Sequence, residues 1–404
     1  MTIDDGALVE LHSLYEKTFG TLAPDIPAVF ASAPGRLELA GNHTDHQGGW
    51  VISAALDRHV LALAVPHSGR HIDAFMEGVG NASISLEGSL DPQPDEKGTS
   101  AALIRGMLAQ FHADHPDIPL IGFNLVTTST IPIGGGVSSS AAFEMMLGVL
   151  INAIHGCSTE PVPLALEGME VENSWFGKQC GAQDQIASAC GGVVAMDFSQ
   201  NPPGVTRLPL DLESAGLVPL LIDSRCDHSL FTDAFNGIFS DMHEVALALE
   251  AEKLGQTSEE DFLTVLDTVR GRLGDRAVLR ALHYYDETSR VLQQKHALEQ
   301  GDVDTFLQLM RLSGASSAQY LQNVTLPTGQ DQTPLLILGL CSHLLGTRGA
   351  WRIHGGGFGG NILAVVPSEQ MESFSQRMDS LLGYPACMEA RIAPEGAQAE
   401  TLVL

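Results

Sequence analysis

The segment IPIGGGVSSSAA, residues 131–142, lies between a predicted strand and a predicted helix. Residues 120–128 alternate in the manner of a half-buried strand, and residues 143–154 are almost entirely apolar and end near Gly156, as a buried helix does. Three consecutive glycines allow backbone N–H groups to approach an anion closely, and the positive end of the following helix faces the same place. The segment therefore predicts a strand, loop and helix that bind phosphate.

This loop differs from the two common nucleotide-binding motifs. No Lys-Ser or Lys-Thr pair follows the glycines, and the G-x-G-x-x-G spacing of dinucleotide-binding proteins is absent from the sequence 134–140. The charge of a bound phosphate would therefore have to be met by backbone groups, hydroxyls and a metal ion. Taken alone, the segment is explained as well by an ordinary glycine turn before a serine-capped helix.

Length and composition limit the class of protein. A chain of 404 residues is too long for one ordinary core and predicts two domains. A net charge of −28 excludes nucleic acid and anionic membrane surfaces as partners. An acidic protein that binds a nucleotide needs a cation, and Mg²⁺ is the cation we expect. We also expect a monomer or a weak homodimer.

The cysteines and the N-terminus indicate a cytoplasmic protein. The six cysteines show no C-x-x-C spacing, and the first ten residues lack the basic-then-apolar pattern of a signal peptide. No apolar run is long enough to span a membrane.

Two further glycine-rich segments follow predicted strands, APGRLELAGNHTDHQGG at 33–49 and HGGGFGG at 354–360. Together with residues 131–142 they resemble the three signature motifs of the GHMP kinases, and the first resembles the galactokinase signature in particular. The elements CGAQDQ at 180–185 and RCDHSL at 225–230 extend the resemblance over nearly the whole chain.

The resemblance implies an α+β fold of two domains. The N-terminal domain, residues 1–212, would be of the ribosomal-protein-S5-like type and would bind nucleotide and sugar. The C-terminal domain, residues 213–404, would be ferredoxin-like, and the active site would lie between the two. The third motif would pack its loop against the first, with glycines because no side chain fits there.

The resemblance also implies an ATP-dependent kinase that phosphorylates the anomeric 1-hydroxyl of galactose and uses Mg²⁺. In this reading Asp184 is the proton acceptor, and Arg36 orients it, keeps it ionised and stabilises the transferring phosphoryl group. A buried Arg–Asp pair that only joins two loops is the structural alternative.

The remaining roles carry over from matching motif positions. The substrate-binding residues would be Arg36, Asn42, His43, Asp45, Gly181 and Asp184. The ATP-binding residues would be Gly134, Gly135, Gly136, Val137, Ser138, Ser139 and Ser140. Ser139 and Glu172 would share the magnesium ion, because a hydroxyl, a carboxylate and phosphate oxygens make the oxygen-only shell that Mg²⁺ prefers.

Two positions depart from the galactokinase pattern, and both concern the sugar. Asn42 replaces the usual glutamate that faces the 6-hydroxyl, and Phe235 stands nearest to the position of a usual tyrosine. The alternatives are a kinase for galacturonate, N-acetylgalactosamine or arabinose, or a regulator that binds galactose and ATP without catalysis. Another branch of the superfamily, acting on an amino acid or mevalonate, is disfavoured by NHTDHQGG and CGAQDQ.

Overall fold

The structure is a computed structural model that describes residues 5–132, 136–227, 231–327 and 329–404. In these ranges the strands are β1 (Pro27–Ala40), β2 (Trp50–His67), β3 (His71–Met76), β4 (Gly80–Ser85), β5 (Gly122–Ser129), β6 (Val193–Asp197), β7 (Gly204–Arg207), β8 (Leu217–Asp223), β9 (Ala350–Ile353), β10 (Asn361–Pro367), β11 (Cys387–Glu389) and β12 (Gln398–Val403). The α-helices are α1 (Asp5–Phe19), α2 (Ser100–Asp114), α3 (Ser139–Ile154), α4 (Pro161–Val171), α5 (Gln183–Cys190), α6 (Thr232–Ala248), α7 (Glu259–Thr264), α8 (Leu266–Leu273), α9 (Asp275–Glu299), α10 (Val303–Ser316), α11 (Thr333–Leu345) and α12 (Met371–Leu382). Chain order thus places a mixed α+β region first, a helical region next and a second α+β region last.

The first sheet has eight strands, in the order β12-β1-β2-β5-β3-β4, with β6 and β7 branching from β2. All pairs are antiparallel except β3 with β5. The long strand β2 pairs with β6 through its first residues and with β5 through its last. β1 pairs with the opposite edge of β2, and the first motif begins near the middle of β1.

Alternation along β1 gives the first sheet two buried faces. Val29, Ala31 and Ala33 join the main core with α2, α3 and α5, whereas Ala28 and Phe30 pack against α1 on the other face. Because both faces are covered, β1 is buried along almost its whole length. The side chains that β1 carries toward its end are therefore held rigidly.

The second sheet has four antiparallel strands, in the order β11-β8-β10-β9. It packs against α11 and α12, and a separate helical core is formed mainly from α6, α8 and α9. After β11 the chain leaves the second sheet, and its last strand, β12, pairs with β1 of the first sheet. The two sheets are thus joined by the C-terminus as well as by the connection before β8.

Most of the predicted elements near the motifs are confirmed. The strand predicted at 120–128 is β5, and the predicted helix is α3, which begins four residues earlier, inside the serine run. Near the end of the chain, β11 ends at Glu389, and residues 390–392 form only a single bridge, from Ile392 to Leu56. The strand β12 was not predicted, because its sequence QAETLV shows little apolar alternation.

Among the described residues, no helix is both long enough and apolar enough to cross a bilayer.

Candidate active site

An ion pair between Arg36 and Asp184 forms the centre of the candidate site. Arg36 lies on β1 and Asp184 is the second residue of α5, and Nε and Nη2 of the arginine both lie 2.6 Å from Oδ1 of the aspartate. The arginine side chain is 7% exposed and the aspartate side chain 26%. The carboxylate therefore has an open side, while the guanidinium is enclosed by protein.

Ser138 makes the second contact to this carboxylate. Its hydroxyl donates to Oδ2 of Asp184 over 2.5 Å, and its backbone adopts the left-handed conformation with φ 62° just before α3 begins. Serine commonly caps a helix with its side chain, but this hydroxyl makes no cap and contacts the carboxylate instead. The unusual backbone is a local strain that aims the hydroxyl at Asp184.

Both members of the pair stay charged. Burial raises the pKa of Asp184, but the charge of Arg36 and the Ser138 hydrogen bond outweigh it, so that the pKa lies below its ordinary value. Burial lowers the pKa of Arg36, and the neighbouring Asp184 and Glu38 more than offset that effect. At neutral pH the site therefore presents a carboxylate held in one orientation.

The predicted phosphate loop contacts the same pair. Arg36 Nη1 donates to the carbonyl of Gly136 over 3.2 Å, and the Arg36 backbone N–H donates to the carbonyl of Val137 over 3.1 Å. Gly35 permits this approach, because a Cβ there would lie 2.9 Å from the Val137 oxygen. The side chain of Val137 is buried, so that only its backbone faces the loop. Gly134 and Gly135, also predicted to bind ATP, lie outside the described residues.

Glu172 forms a second buried carboxylate beside the start of α3. It begins a π-helical turn, Glu172–Phe176, and only 1% of the residue is exposed. Ser140 donates to its Oε1 over 2.8 Å, and Gln185 donates to its Oε2 over 2.8 Å. The hydroxyl described at Glu172 is thus that of Ser140, whereas the sequence prediction placed Ser139 there. The 3.6-residue turn of α3 accounts for the difference, because neighbouring serines point about 100° apart.

Further groups surround Glu172. Lys178 Nζ lies 3.0 Å from Oε1, and Cys180 Sγ donates to Oε2 over 3.2 Å. Gln185 also bridges to Glu144, whose pKa burial and the nearby Glu172 raise well above its ordinary value.

The donor set at Glu172 fits magnesium. One serine hydroxyl and one carboxylate supply hard oxygen ligands, and phosphate oxygens and waters would complete the octahedron. Within the described ranges no cluster of three or more His, Cys, Asp or Glu side chains forms a metal site. A two-residue site completed by a nucleotide is consistent with that finding.

The predicted sugar ligands lie on the turn that follows β1. His43 Nε2 hydrogen-bonds the carbonyl of Gly356 over 2.9 Å, and the His43 ring packs on Phe235 with centroids 5.1 Å apart. Burial, followed by the charge of His46, lowers the pKa of His43 to about 3. The neutral ring donates from Nε2, so its Nδ1 is an acceptor.

Asp45 and Gly181 meet directly. A Cβ at Gly181 would lie 2.2 Å from Oδ2 of Asp45, so that only glycine allows the carboxylate to sit against this backbone. Burial raises the pKa of Asp45, and charges on Asp184 and Arg36 also act on it. The structure thus brings Asp45, Gly181 and the central ion pair into one site.

Asn42 lies in a different environment. Its Nδ2 donates to Glu38 Oε1 over 2.9 Å and to the Gly355 carbonyl over 2.6 Å. Its Oδ1 accepts from Ser317 over 3.2 Å and from Asn323 over 2.7 Å. A carboxamide offers two donor hydrogens and two acceptor positions, so all four are used by protein groups.

The Asn42 network joins the two sheets. Glu38 Oε1 also accepts from Arg352 Nη2 over 2.6 Å, and neither of those side chains is more than 4% exposed. Gln183 donates to Glu38 Oε2 over 3.2 Å. The carboxylate that is missing at residue 42 is thus present four residues earlier, where an arginine from β9 neutralises it.

The third motif packs against the first, as predicted. His354 Nε2 accepts from the Glu38 N–H over 3.0 Å, and the carbonyls of Gly355 and Gly356 accept from Asn42 and His43. A Cβ at Gly356 would lie 2.3 Å from the Phe235 ring. This close approach is the reason for glycine.

Sequence reasoning missed several residues of the site. The contacts of Ser138 and Ser140 could not be separated from those of Ser139 within a serine run. Lys178 and Glu38 lie close to motif residues, three before Gly181 and two after Arg36, which was the available signal. The final residues of RCDHSL, 228–230, lie outside the described residues.

Comparisons with known proteins show which families and folds the chain is similar to. The galactokinase galactose-binding signature matches residues 13–66, and the N-terminal domain of GHMP kinases matches residues 102–192. A galactokinase of Haemophilus influenzae is 27% identical over 362 residues, which are 89% of this chain and 90% of the relative.

Solved structures share the fold. The crystal structure of Lactococcus lactis galactokinase complexed with galactose superposes with a TM-score of 0.83 and 22% identity, covering 97% of this chain and 99% of that one. A D-glycero-D-manno-heptose 1-phosphate kinase from Bacteriodes thetaiotaomicron has a TM-score of 0.63 and 18% identity, covering 93% and 100%.

These matches and the α+β fold define a kinase of the sugar-kinase class. The chain thus resembles the GHMP kinase superfamily and, within it, the galactokinases.

Proposed function

We propose that this protein transfers the γ-phosphoryl group of Mg–ATP to the anomeric 1-hydroxyl of galactose, giving galactose 1-phosphate and ADP. The observation that carries the proposal is the Arg36–Asp184–Ser138 constellation at the start of α3, beside Glu172 and Ser140. The galactokinase relatives in the comparisons point to the same sugar.

Asp184 is the proton acceptor in this proposal. Phosphoryl transfer needs alignment and charge neutralisation more than a strong base, because bond breaking to the leaving group runs ahead of attack. A carboxylate with a lowered pKa suits that need, since Arg36 and Ser138 fix its orientation and its exposed side can face a hydroxyl. Arg36 also neutralises charge that develops on the transferring group.

The start of α3 binds the phosphates. The first N–H groups of a helix have no partner within the helix, and its dipole favours an anion there. Gly136, Val137 and residues 138–140 provide this end of the helix. Magnesium bound by Ser140 and Glu172 would neutralise phosphate charge and hold the nucleotide in position. Ser139 remains a candidate for phosphate contact through its backbone.

The sugar would lie over the turn after β1. Asp45 would accept hydrogen bonds from sugar hydroxyls, His43 would accept one at Nδ1, and Gly181 would leave room for the ring. We do not assign Asn42 to the sugar site, because protein groups already use its four hydrogen-bonding positions. Phe235 offers an apolar wall through its contact with His43.

A second candidate, a kinase for galacturonate, is favoured by the Asn42 network. A galactokinase glutamate that faces the 6-hydroxyl would repel a carboxylate at C6. Here the residue is an amide, and Arg352 neutralises the nearby Glu38. This end of the pocket is therefore compatible with a carboxylate at C6, whereas N-acetylgalactosamine, which is modified at C2, and arabinose, which lacks C6, draw no support from this network.

The test is ADP release with Mg–ATP, measured under matched conditions for galactose, galacturonate, N-acetylgalactosamine and arabinose. The position of phosphorylation is read from the ³¹P and ¹H spectra of the product. A kcat/KM for galactose at least about tenfold above the others, a difference of about 1.4 kcal/mol, supports the proposal. Preference for galacturonate replaces it with the second candidate. Sugar and ATP binding without turnover would identify a regulator and overturn both.

A further inference from the structure

Lys178 lies on a short loop whose backbone is fixed independently of its side chain. The π-helical turn ends at Gly177, which has φ 86°, and the N–H groups of Gly177 and Lys178 both donate to the Glu172 carbonyl, over 2.9 and 3.0 Å. Asn173 also binds the backbone N–H of Cys180 over 2.8 Å. A substitution at the Lys178 side chain therefore leaves the loop in place.

The ammonium group of Lys178 contacts one carboxylate oxygen of Glu172, the candidate metal ligand. Oε1 of Glu172 accepts from Lys178 Nζ and from the Ser140 hydroxyl, and Oε2 is taken by Cys180 and Gln185. A magnesium ion held by Ser140 and Glu172 would approach the same Oε1. The ammonium and the metal ion thus compete for one carboxylate oxygen.

The charge of Lys178 also reaches the reacting centre. The Glu172 carboxylate side chain is 2% exposed, whereas the lysine side chain is 50% exposed and lies at the mouth of the site. Burial opposes the charge of the ammonium, but Glu172 and Asp184 together hold the pKa of Lys178 above its ordinary value. A protonated lysine therefore pairs with Glu172 and lies within electrostatic reach of Asp184.

The phosphate loop supplies no lysine of its own, and the whole chain carries a net charge of −28. In common phosphate loops a lysine on the loop contacts the β- and γ-phosphates. Lys178 reaches the corresponding place, the start of α3, from a different segment. Its flexible four-carbon stem permits a shift of a few ångströms.

We propose that Lys178 is a phosphate-binding residue that neutralises Glu172 in the empty enzyme and moves onto the phosphate oxygens when magnesium–nucleotide binds. The inference rests on the proposed function for the identity of the nucleotide. It predicts that the lysine opposes binding of a free metal ion and favours binding of the metal–nucleotide complex.

The test measures binding without turnover, in the full chain. Free Mn²⁺ is titrated by electron paramagnetic resonance, and the magnesium complex of the non-hydrolysable analogue AMPPNP by calorimetry. Lys178→Met should bind free Mn²⁺ several-fold more tightly, because no ammonium competes for Glu172. The same variant should bind Mg–AMPPNP about tenfold or more weakly, because a charge-assisted hydrogen bond to phosphate is lost.

Two further variants sharpen the experiment. Lys178→Arg should recover most of the Mg–AMPPNP affinity. Lys97→Met is the matched control, since the Lys97 side chain is exposed, packs beside the same Gly177 turn and carries the same charge. It should leave both affinities within about twofold of the parent.

Opposite changes in the two affinities support the proposal, and parallel changes or no change overturn it. A loss of Mg–AMPPNP affinity of equal size in Lys97→Met would also overturn it, because the effect would then be one of general charge. If the proposed function is wrong, only the ADP-release assay with the four sugars would show it. The binding results for Lys178 would still hold. If Lys178→Met does not fold, Lys178→Gln is measured in its place and read by the same criteria.

Discussion

Arg36 and Asn42 lie six residues apart in the first glycine-rich segment, yet they differ in their surroundings and in the hydrogen-bonding capacity that is left for a ligand. Arg36 holds a carboxylate whose side chain is 26% exposed and can face a ligand. Asn42 is fully buried, and protein groups use every donor and acceptor that it has. A motif residue can bind a ligand only if its protein partners leave some hydrogen-bonding capacity free.

The same distinction separates the two functions of the site. The transfer side, around Asp184 and Glu172, is built from charged groups that lie next to an opening. The sugar side combines half-buried candidates such as Asp45 with a buried network between the sheets. Reaction type therefore follows from the first region, and sugar choice depends on how much of the second is available.

The largest effect should come from Asp184→Asn. The amide keeps the size of the side chain and can still accept a hydrogen bond from Arg36, but it cannot take a proton. We expect kcat to fall by about 10²–10⁴-fold, the usual contribution of general acid–base catalysis, with Mg–nucleotide affinity nearly unchanged. Steady-state kinetics and calorimetry measure the two quantities.

The matched control is Asp211→Asn, which changes an exposed aspartate far from the site in sequence and should keep the parent kcat. If Asp184→Asn keeps its kcat as well, the ion pair only joins two loops, and the assigned proton acceptor is incorrect.

Asn42→Ala tests the opposite side of the comparison. The change removes one hydrogen bond from each of several buried partners, including Glu38 and Asn323, and each buried group left unsatisfied costs about 1–3 kcal/mol. We expect a clear drop in the free energy of unfolding in urea, with a galactose KM within about threefold of the parent. The exposed Asn81→Ala serves as the control for both quantities.

A large rise in KM with unchanged stability would show that Asn42 contacts the sugar. The original prediction from the motif would then be restored, and the network would have to open when the sugar binds.

Ser140→Ala and Ser139→Ala form a pair with a smaller expected effect. The Ser140 hydroxyl contacts Glu172, so its loss should weaken Mg–nucleotide binding by about tenfold, the value of one hydrogen bond to a charged group. Ser139→Ala should remain close to the parent. The reverse order would return the metal-ligand role to Ser139.

Sequence reasoning predicted the fold better than the detailed contacts. The strand, loop and helix around residues 131–142 were predictable because glycine and serine have local conformational preferences and the helix is strongly apolar. The strand β12 was not predictable, since its place is set by pairing with β1 across more than 350 residues. The proposed domain boundary at 212 stays a prediction, and β12 returns across it to the first sheet.

The contacts within the site were likewise only partly predictable from the sequence. The motif spacing indicated that Arg36, Asp184 and Glu172 belong to one site. It could not say which of three adjacent serines meets which carboxylate, because that depends on the left-handed turn at Ser138. Nor could it show that Asn42 is saturated, since three of its partners lie beyond residue 300.

The smallest effect is expected from Ser138→Ala, which should change the pH profile. The Ser138 hydrogen bond favours the ionised form of Asp184 and helps to keep its pKa below the ordinary value. Removing it raises that pKa, so the carboxylate is protonated at a higher pH and the acid limb of kcat/KM should move upward in pH. Activity at neutral pH should fall little, because Arg36 still holds the carboxylate ionised. Ser139→Ala should leave the limb in place, and an unmoved or lowered limb in Ser138→Ala would mean that another group controls the acid side.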